Sequence, residues 1–159
     1  MKRALIYYSL SDNTKEAAEK IADLLSADAY RVQLVKPMPA TLQKQILKGG
    51  AQAVFGMKPK ITGMPETISE YDEIILGTPI WAGLNASPLN TVMARKDVVE
   101  KTVAVFTLSG GGDNEGCMGK LNKILKNLKY SVALADRNHE TAKDNDQKIT
   151  DFAEQILKG

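Results

Sequence analysis

The segment Ala4-Leu5-Ile6-Tyr7-Tyr8 is an unbroken apolar run, and the polar segment Ser9-Leu10-Ser11-Asp12-Asn13-Thr14 follows it directly. An apolar run of this kind is typical of a strand that is buried on both faces of a parallel sheet. The residues after it predict a helix whose apolar side chains share one face: Ala17, Ala18, Ile21, Ala22, Leu24 and Leu25. This stretch therefore predicts a strand, a polar loop and an amphipathic helix.

The same alternation continues along the chain. Residues 74–76 and 103–106 are again continuously apolar, residues 30–34 alternate as an edge strand does, and residues 131–134 form a weaker fifth candidate. Helical patterns lie between or after them. Ser87-Pro88 starts a helix near Leu89, an apolar stripe runs from Met118 to Leu128, and the last helix carries Ile149, Phe152, Ala153, Ile156 and Leu157 on one face.

Five strands in βαβα alternation predict an α/β fold, with one domain over residues 1–159 and a three-layer, doubly wound, five-stranded parallel sheet. The alternating second strand favours the order 2-1-3-4-5, and the first strand is not followed by the GxGxxG of a six-stranded dinucleotide fold. Residues 51–71 contain Gly56, Pro59, Gly63 and Pro65. We expect most of this segment to be an extended loop before the third strand.

Composition and charge disfavour several classes of protein. A net charge of +2 gives no strong basic field for a nucleic acid, and no apolar stretch is long enough to cross a membrane. The five apolar residues before Ser9 are too few for a signal peptide, and the single Cys117 forms no internal disulfide. One His and one Cys offer no metal-ligand cluster. We expect a cytoplasmic protein with no metal, nucleic-acid or membrane partner.

Ligands of open α/β sheets bind beyond the carboxyl ends of the strands, where the strand order reverses. The loop Ser9–Thr14 supplies three hydroxyls and an amide beside the free N–H groups of a helix N-terminus, an arrangement that favours a phosphate group. It contains no lysine, unlike a nucleoside-triphosphate loop of the GxxxxGK[ST] kind. The alternative is an ordinary cluster of helix-capping residues.

Two further loops are expected at the same edge of the sheet. In residues 77–83, Trp81 is the only tryptophan of the chain, and its ring either covers a planar ligand or packs against the following helix. In residues 109–116, a run of glycines suits close backbone approach to a ligand, or else forms a flexible turn. Cys117 and His139 are interpreted as a structural and a solvated residue, respectively, and the polar residues 136–146 as a loop before the last helix.

The three loops together resemble the cofactor loops of the flavodoxin family. The first resembles the phosphate loop, a Ser/Thr-x-Ser/Thr-Gly-Asn-Thr run, and the second and third resemble the two loops that hold the flavin ring. The resemblance implies one FMN, with its phosphate on the first loop and with backbone groups near Ala82-Gly83 meeting the flavin N5. It implies cofactor-binding residues in all three loops and no catalytic residue. The cofactor-binding residues are Ser9, Leu10, Ser11, Asp12, Asn13, Thr14, Thr78, Pro79, Ile80, Trp81, Ala82, Gly83, Ser109, Gly110, Gly111 and Gly112.

The chain departs from the flavodoxin pattern in three respects. Asp12 replaces the usual glycine; aspartate tolerates the left-handed turn, but its carboxylate repels a phosphate unless it points into solvent. The third loop lacks an aromatic, so the outer flavin face is either open or covered by Met118, a partner or another subunit. The chain is slightly basic, with a pI near 8.6, whereas many flavodoxins are acidic, which predicts a different redox partner.

The resemblance leaves several functions open. The leading hypothesis is an electron-transfer flavodoxin that passes single electrons between protein partners. The alternative is an FMN-dependent NAD(P)H oxidoreductase of the quinone-reductase type, which reduces a small-molecule acceptor as a homodimer. A degenerate flavodoxin-like module that has lost its flavin is the third. A phosphoacceptor receiver domain is disfavoured, because no acidic cluster follows the first strand and no aspartate follows the third.

Overall fold

The computed structural model describes residues 1–159 and contains one central sheet with helices on both faces. The strands are β1 Arg3–Tyr8, β2 Asp28–Leu34, β3 Ile61–Thr62, β4 Glu73–Trp81, β5 Leu84–Asn85, β6 Thr102–Ser109 and β7 Tyr130–Ala135. The α-helices are α1 Asn13–Leu25, α2 Leu42–Val54, α3 Ser87–Met93, α4 Lys96–Lys101, α5 Glu115–Ile124 and α6 Asn145–Lys158. A 3₁₀ turn at Glu140–Asp144 leads into α6.

The sheet has the strand order β3-β2-β1-β4-β6-β7. Its five long strands β2, β1, β4, β6 and β7 are mutually parallel and correspond to the predicted order 2-1-3-4-5, which is confirmed. Two short antiparallel strands extend this plan: β3 pairs with β2, and β5 pairs with the end of β4. The edge beside β2 is therefore partly covered by β3.

The core consists of two apolar clusters, one on each face of the sheet. Leu5, Ile75 and Phe106 pack on one face with the apolar sides of α1 and α6. Ile6 and Ile74 face the other side, where α3, α4 and α5 cover the sheet. Because successive strand residues point to opposite faces, the continuously apolar strands of the sequence fill both clusters. This arrangement is the predicted three-layer fold.

The structure corrects the sequence interpretation in four segments. Residues 51–54 belong to α2 and residues 61–62 to β3, so the predicted loop over 51–71 is wrong in those parts. Residues 77–81 are strand, because residues 77–79 pair with β6 and Ile80 and Trp81 pair with Asn85 and Leu84. Ser109 is the last residue of β6. The polar residues 136–146, read as a loop, contain the 3₁₀ turn and the first residues of α6.

Helices α2 and α4 were not predicted at all. In α2 the apolar pattern is interrupted by two central glycines, and its large apolar side chains are mostly exposed. No helix of the structure is both long and apolar enough to cross a lipid bilayer. No group of three or more His, Cys, Asp or Glu side chains is arranged to hold a metal ion.

Candidate functional site

A cavity of about 440 Å³ lies beyond the carboxyl ends of β1, β4 and β6. Its volume is in the range of small-molecule and cofactor sites. It lies where the strand order reverses, since β1 leads to the edge strand β2 and β4 leads to β6 on the other side. The lining residues are Leu10, Ser11, Asn13, Thr14, Leu42, Gln45, Ile46, Gly50, Pro79, Ile80, Trp81, Ala82, Leu108, Ser109, Gly110 and Asp136.

The loop between β1 and α1 forms the polar end of the cavity. Asp12 has a φ of 63°, in the left-handed region, and so turns the chain into the helix as a glycine would. The backbone N–H groups of residues 11–14 donate to no backbone carbonyl. The buried Ser9 holds the loop from below, because its Oγ accepts a hydrogen bond of 3.1 Å from the N–H of Lys15. Free amides at a helix N-terminus favour an anion.

Two buried polar side-chain atoms have no hydrogen-bond partner in the whole structure, and both belong to residues that line this cavity. They are Oδ1 of Asn13 and Oγ of Ser109. Nδ2 of Asn13 is occupied, since it donates to Oδ2 of Asp136 at 3.1 Å. An unpaired buried polar atom costs about 1–3 kcal/mol, so a ligand that supplies partners here is stabilised. Oδ1 of Asn13 can only accept and so fits a ligand hydroxyl, whereas the Ser109 hydroxyl fits either a hydroxyl or a carbonyl group.

Two arginines hold the polar loop from outside the cavity. Arg31 of β2 donates to the carbonyl of Ser9 at 2.8 Å, and the same nitrogen lies 2.9 Å from Oδ1 of Asp12. Arg137 donates to the carbonyl of Ser11 at 3.2 Å and pairs with Glu16 at 2.7 Å.

Neither arginine lines the cavity, and Asp136 is the only charged residue that does. The Asp12 carboxylate is directed to Arg31, and Asp12 is absent from the lining. The structure therefore keeps that carboxylate out of the space where an anion would bind.

Trp81 and helix α2 form the apolar end of the cavity. The indole ring packs against Gly49, where a Cβ atom would lie only 3.2 Å from Cδ2 and Cε3 of the ring. On another side the Tyr8 ring contacts it edge-on, with a centroid distance of 5.5 Å. Trp81 therefore packs against the preceding helix α2 and also lines the cavity. Leu42 and Ile46 line it as well, although 70% and 66% of their surfaces remain exposed.

Ala82 and Gly83 form the two-residue turn between β4 and β5. Both have positive φ, 49° and 77°, as in a type I′ hairpin turn. The conformation is natural for Gly83, whereas an alanine in it is strained by about 1 kcal/mol. Ala82 lines the cavity and Gly83 does not.

The cavity brings together ten of the sixteen residues singled out from the sequence. They are Leu10, Ser11, Asn13, Thr14, Pro79, Ile80, Trp81, Ala82, Ser109 and Gly110. The other six lie beside it. Ser9 and Asp12 hold the loop, and the buried Thr78 accepts a hydrogen bond from the Ala86 N–H at 3.0 Å. Gly83, Gly111 and Gly112 belong to the adjoining turns.

Six lining residues were missed from the sequence: Leu42, Gln45, Ile46, Gly50, Leu108 and Asp136. Four of them belong to the unpredicted helix α2. Asp136 directly follows β7, so the rule that ligands bind at strand carboxyl ends was sufficient to find it.

The two remaining chemically notable residues lie away from the cavity lining. Cys117 is fully buried, and burial raises the pKa of its thiol to about 11, which makes it inert at neutral pH. His139 caps the 3₁₀ turn, where its Nδ1 accepts from the Thr141 N–H at 3.2 Å. These placements agree with a structural cysteine and a surface histidine.

A doubly wound sheet with a cavity at its point of strand reversal defines the class of α/β domains that bind nucleotides and nucleotide-like cofactors. Within this class the chain belongs to the flavodoxin family, because the family model described as Flavodoxin matches residues 2–155.

Solved structures agree with this assignment. A flavoprotein from Lactobacillus acidophilus NCFM, crystallised in complex with FMN, is 26% identical, with a TM-score of 0.71 over 92% of this chain and 97% of that one. A protein from Bacteroides eggerthii DSM 20697 is 23% identical, with a TM-score of 0.75 over 96% and 98% of the two chains. Oxidised Flavodoxin 1 from Bacillus cereus is 18% identical, with a TM-score of 0.56 over 99% and 98%. The last two likenesses concern the fold alone.

Proposed function

We propose that this chain binds one FMN in the cavity and carries single electrons between protein partners in the cytoplasm. The observation that carries the proposal is the composition of the cavity. One end offers free backbone amides and unpaired polar atoms, and the other offers an aromatic and aliphatic surface. A phosphate, a hydroxylated chain and a planar ring require these surfaces in one continuous space. The FMN complex of the Lactobacillus acidophilus relative adds support.

Each end of the cavity has its own task in this proposal. The amides of residues 11–14, with the hydroxyls of Ser11 and Thr14, would hold the phosphate. Oδ1 of Asn13 would accept a hydrogen bond from a hydroxyl group of the cofactor, and the Ser109 hydroxyl would pair with a hydroxyl or carbonyl group. Trp81, Leu42 and Ile46 would bind the ring and exclude water from it. When bound, FMN supplies the reversible uptake of electrons, and the protein supplies its position and electrostatic surroundings.

The strained turn at Ala82-Gly83 is where the resemblance puts the contact with the flavin N5. Ala82 and Gly83 are exposed at the cavity rim, with Gly50 of α2 and Gly116 of α5 beside them. A peptide group in this position accepts or donates a hydrogen bond according to its orientation. We propose that the peptide group of this turn changes its orientation with the protonation state of the flavin N5.

The cofactor assignment is tested by mixing the purified protein with FMN, removing the excess by gel filtration and recording an absorbance spectrum. We expect about one FMN per chain, with the flavin bands at roughly 375 and 450 nm. A colourless protein would contradict the proposal. Potentiometric reduction of the loaded protein then tests electron transfer, for which we expect two separate one-electron potentials.

The second candidate is the FMN-dependent NAD(P)H oxidoreductase of the quinone-reductase type. One observation favours it: α2 and the residue after it present a row of exposed apolar side chains beside the cavity, which a second copy would cover in a homodimer. They are Leu42, Ile46, Leu47, Val54 and Phe55. A dimer in solution, with rapid bleaching of the flavin by NADPH and turnover of a quinone, would support this candidate. A monomer that NADPH leaves oxidised would exclude it.

A further inference from the structure

The phosphate loop of this chain contains a negative charge where a cofactor phosphate would bind nearby. Asp12 provides the left-handed turn that leads into α1, so its backbone is needed there, while its carboxylate carries the wrong sign for an anion site. The cavity lining contains no lysine or arginine that would offset this charge from inside. The compensation must come from elsewhere in the structure.

Arg31 is placed to provide that compensation. It lies on the neighbouring strand β2, and one terminal nitrogen serves two groups of the loop: the Ser9 carbonyl at 2.8 Å and the Asp12 carboxylate at 2.9 Å. The Arg31 side chain is 29% exposed and that of Asp12 is 59% exposed. The arginine is thus the more fixed partner, and it holds the carboxylate on the outer side of the loop.

We propose that Arg31 is a positioning residue that makes the loop selective for a phosphorylated ligand, by neutralising Asp12 and holding its carboxylate away from the phosphate. Arg31 does not line the cavity. A glycine at this position forms the turn without introducing a charge. In this chain the ion pair between Asp12 and Arg31 offsets the charge that the aspartate introduces. This inference rests on the proposed binding of FMN.

The test compares FMN with riboflavin, which has the same ring and hydroxyl chain but no phosphate. Arg31→Met removes the compensating charge and leaves Asp12 free, so we expect FMN affinity to fall about tenfold. Riboflavin affinity is expected to change by less than about twofold, because riboflavin carries no charge. The loss for FMN should shrink as salt screens the carboxylate. Both dissociation constants are measured by flavin fluorescence quenching.

A second substitution separates the charge from the architecture of the loop. Asn adopts the left-handed region as readily as Asp, so Asp12→Asn keeps the turn and removes the charge. Asp12→Asn alone is expected to bind FMN at least as tightly as the wild type. The double variant Asp12→Asn, Arg31→Met is expected to recover most of the affinity that Arg31→Met loses.

Arg95→Met is the matched control. Arg95 pairs with Asp97 at 2.6 Å at the start of α4, which leads into the opposite end of β6, and we expect no change with either flavin.

Three outcomes would overturn the inference: an equal loss of FMN and riboflavin in Arg31→Met, no loss at all, or no recovery in the double variant. If the wild type binds neither flavin, the proposed function fails, and inorganic phosphate is used as the probe in the wild type and the three variants of Asp12 and Arg31. Shifts of the Asn13 and Thr14 amide resonances in the wild type that weaken in Arg31→Met would then still support the inference. Absence of such shifts in the wild type would overturn it as well.

Discussion

The two ends of the cavity are built in opposite ways. The polar end is one continuous segment, Ser9–Thr14, whose conformation is set by its own residues and by two arginines behind it. The apolar end is assembled from distant segments: Trp81 comes from β4, while Gly49 and Ile46 come from α2. The first is contiguous in the sequence, and only the two arginines that hold it come from other segments. The second exists only after the helix has docked on the sheet.

This difference predicts a difference in selectivity. Substitutions at the polar end should distinguish ligands by their charge, whereas substitutions at the apolar end should weaken phosphorylated and unphosphorylated flavins alike. Measuring FMN and riboflavin side by side therefore reports which end has been disturbed. A substitution at the apolar end that lowered the affinity for FMN but not for riboflavin would contradict this prediction.

The largest effect is expected from Ser11→Asp at the polar end. Ser11 is exposed and lines the cavity, so the substitution adds a carboxylate beside the phosphate position with little cost to the fold. Repulsion of about 2 kcal/mol at a solvent-exposed site corresponds to an FMN dissociation constant roughly 30-fold higher. Riboflavin affinity should stay within about threefold. Isothermal titration with both flavins measures these changes.

Ser11→Asn is the control for this experiment, because it introduces a side chain of the same size without the charge. A loss of FMN affinity in Ser11→Asn as large as in Ser11→Asp would show that the segment responds to bulk and not to charge. In that case the phosphate would not lie at this end of the cavity.

A smaller effect is expected at the apolar end from the double variant Leu42→Ser, Ile46→Ser. Both side chains line the cavity but stay largely exposed, so we expect a loss of about 1 kcal/mol, or roughly fivefold, for FMN and for riboflavin. Leu47→Ser is the matched control, since Leu47 lies on the same helix, is 77% exposed and does not line the cavity. Equal losses of flavin affinity in the control and in the double variant would show that α2 does not contribute to the binding site.

The smallest effect concerns the contact between α2 and Trp81. Gly49 and Gly50 are neighbours within the helix, and alanine at either position gains up to about 1 kcal/mol of helix propensity. Gly50→Ala keeps this gain, because its new Cβ lies 3.7 Å from Cβ of Ala82. We expect Gly49→Ala to lose it, because its Cβ would lie 3.2 Å from Cδ2 and Cε3 of the Trp81 ring, which must shift slightly to make room.

Urea unfolding measures the two free energies, and the fluorescence of the only tryptophan reports the displacement of its ring. We expect the emission to shift in Gly49→Ala alone. A shift in both variants would mean that the ring is held by the helix as a whole, with no particular contact at Gly49.

The sequence was sufficient for the strand order because buried parallel strands are continuously apolar, as in residues 4–8 and 74–76, whereas the alternation in residues 30–34 marks the second strand as lying towards the edge. The polar loop was also predictable, since its conformation depends largely on residues that are close together in the sequence. Helix α2 was not predictable from periodicity, because its outer face is apolar and its inner face contains Gly49. Trp81 was placed in a loop because its strand pairing depends on the short hairpin partner Leu84.

Long-range pairs were likewise out of reach. The hydrogen bond between Asn13 and Asp136 joins residues 123 positions apart, and only the fold places the carboxylate beside the loop. The ion pair of Arg31 with Asp12 depends on the register of β1 against β2, which aligns Tyr7 with Arg31. The residue types of the loop were thus sufficient to identify the polar end, whereas the partners of Asn13 and Asp12 follow only from the tertiary structure.

The positive φ of Ala82 in the β4–β5 turn has a consequence for directed evolution of the protein. Alanine and glycine codons differ in one base, so the unstrained turn is a single nucleotide away from the natural gene. Selection of random mutants for heat resistance alone should therefore recover Ala82→Gly early, since it relieves about 1 kcal/mol without disturbing the core. Selection for growth that depends on the protein should recover it less often, because it alters the backbone at the cavity rim, where the peptide group is proposed to contact the flavin.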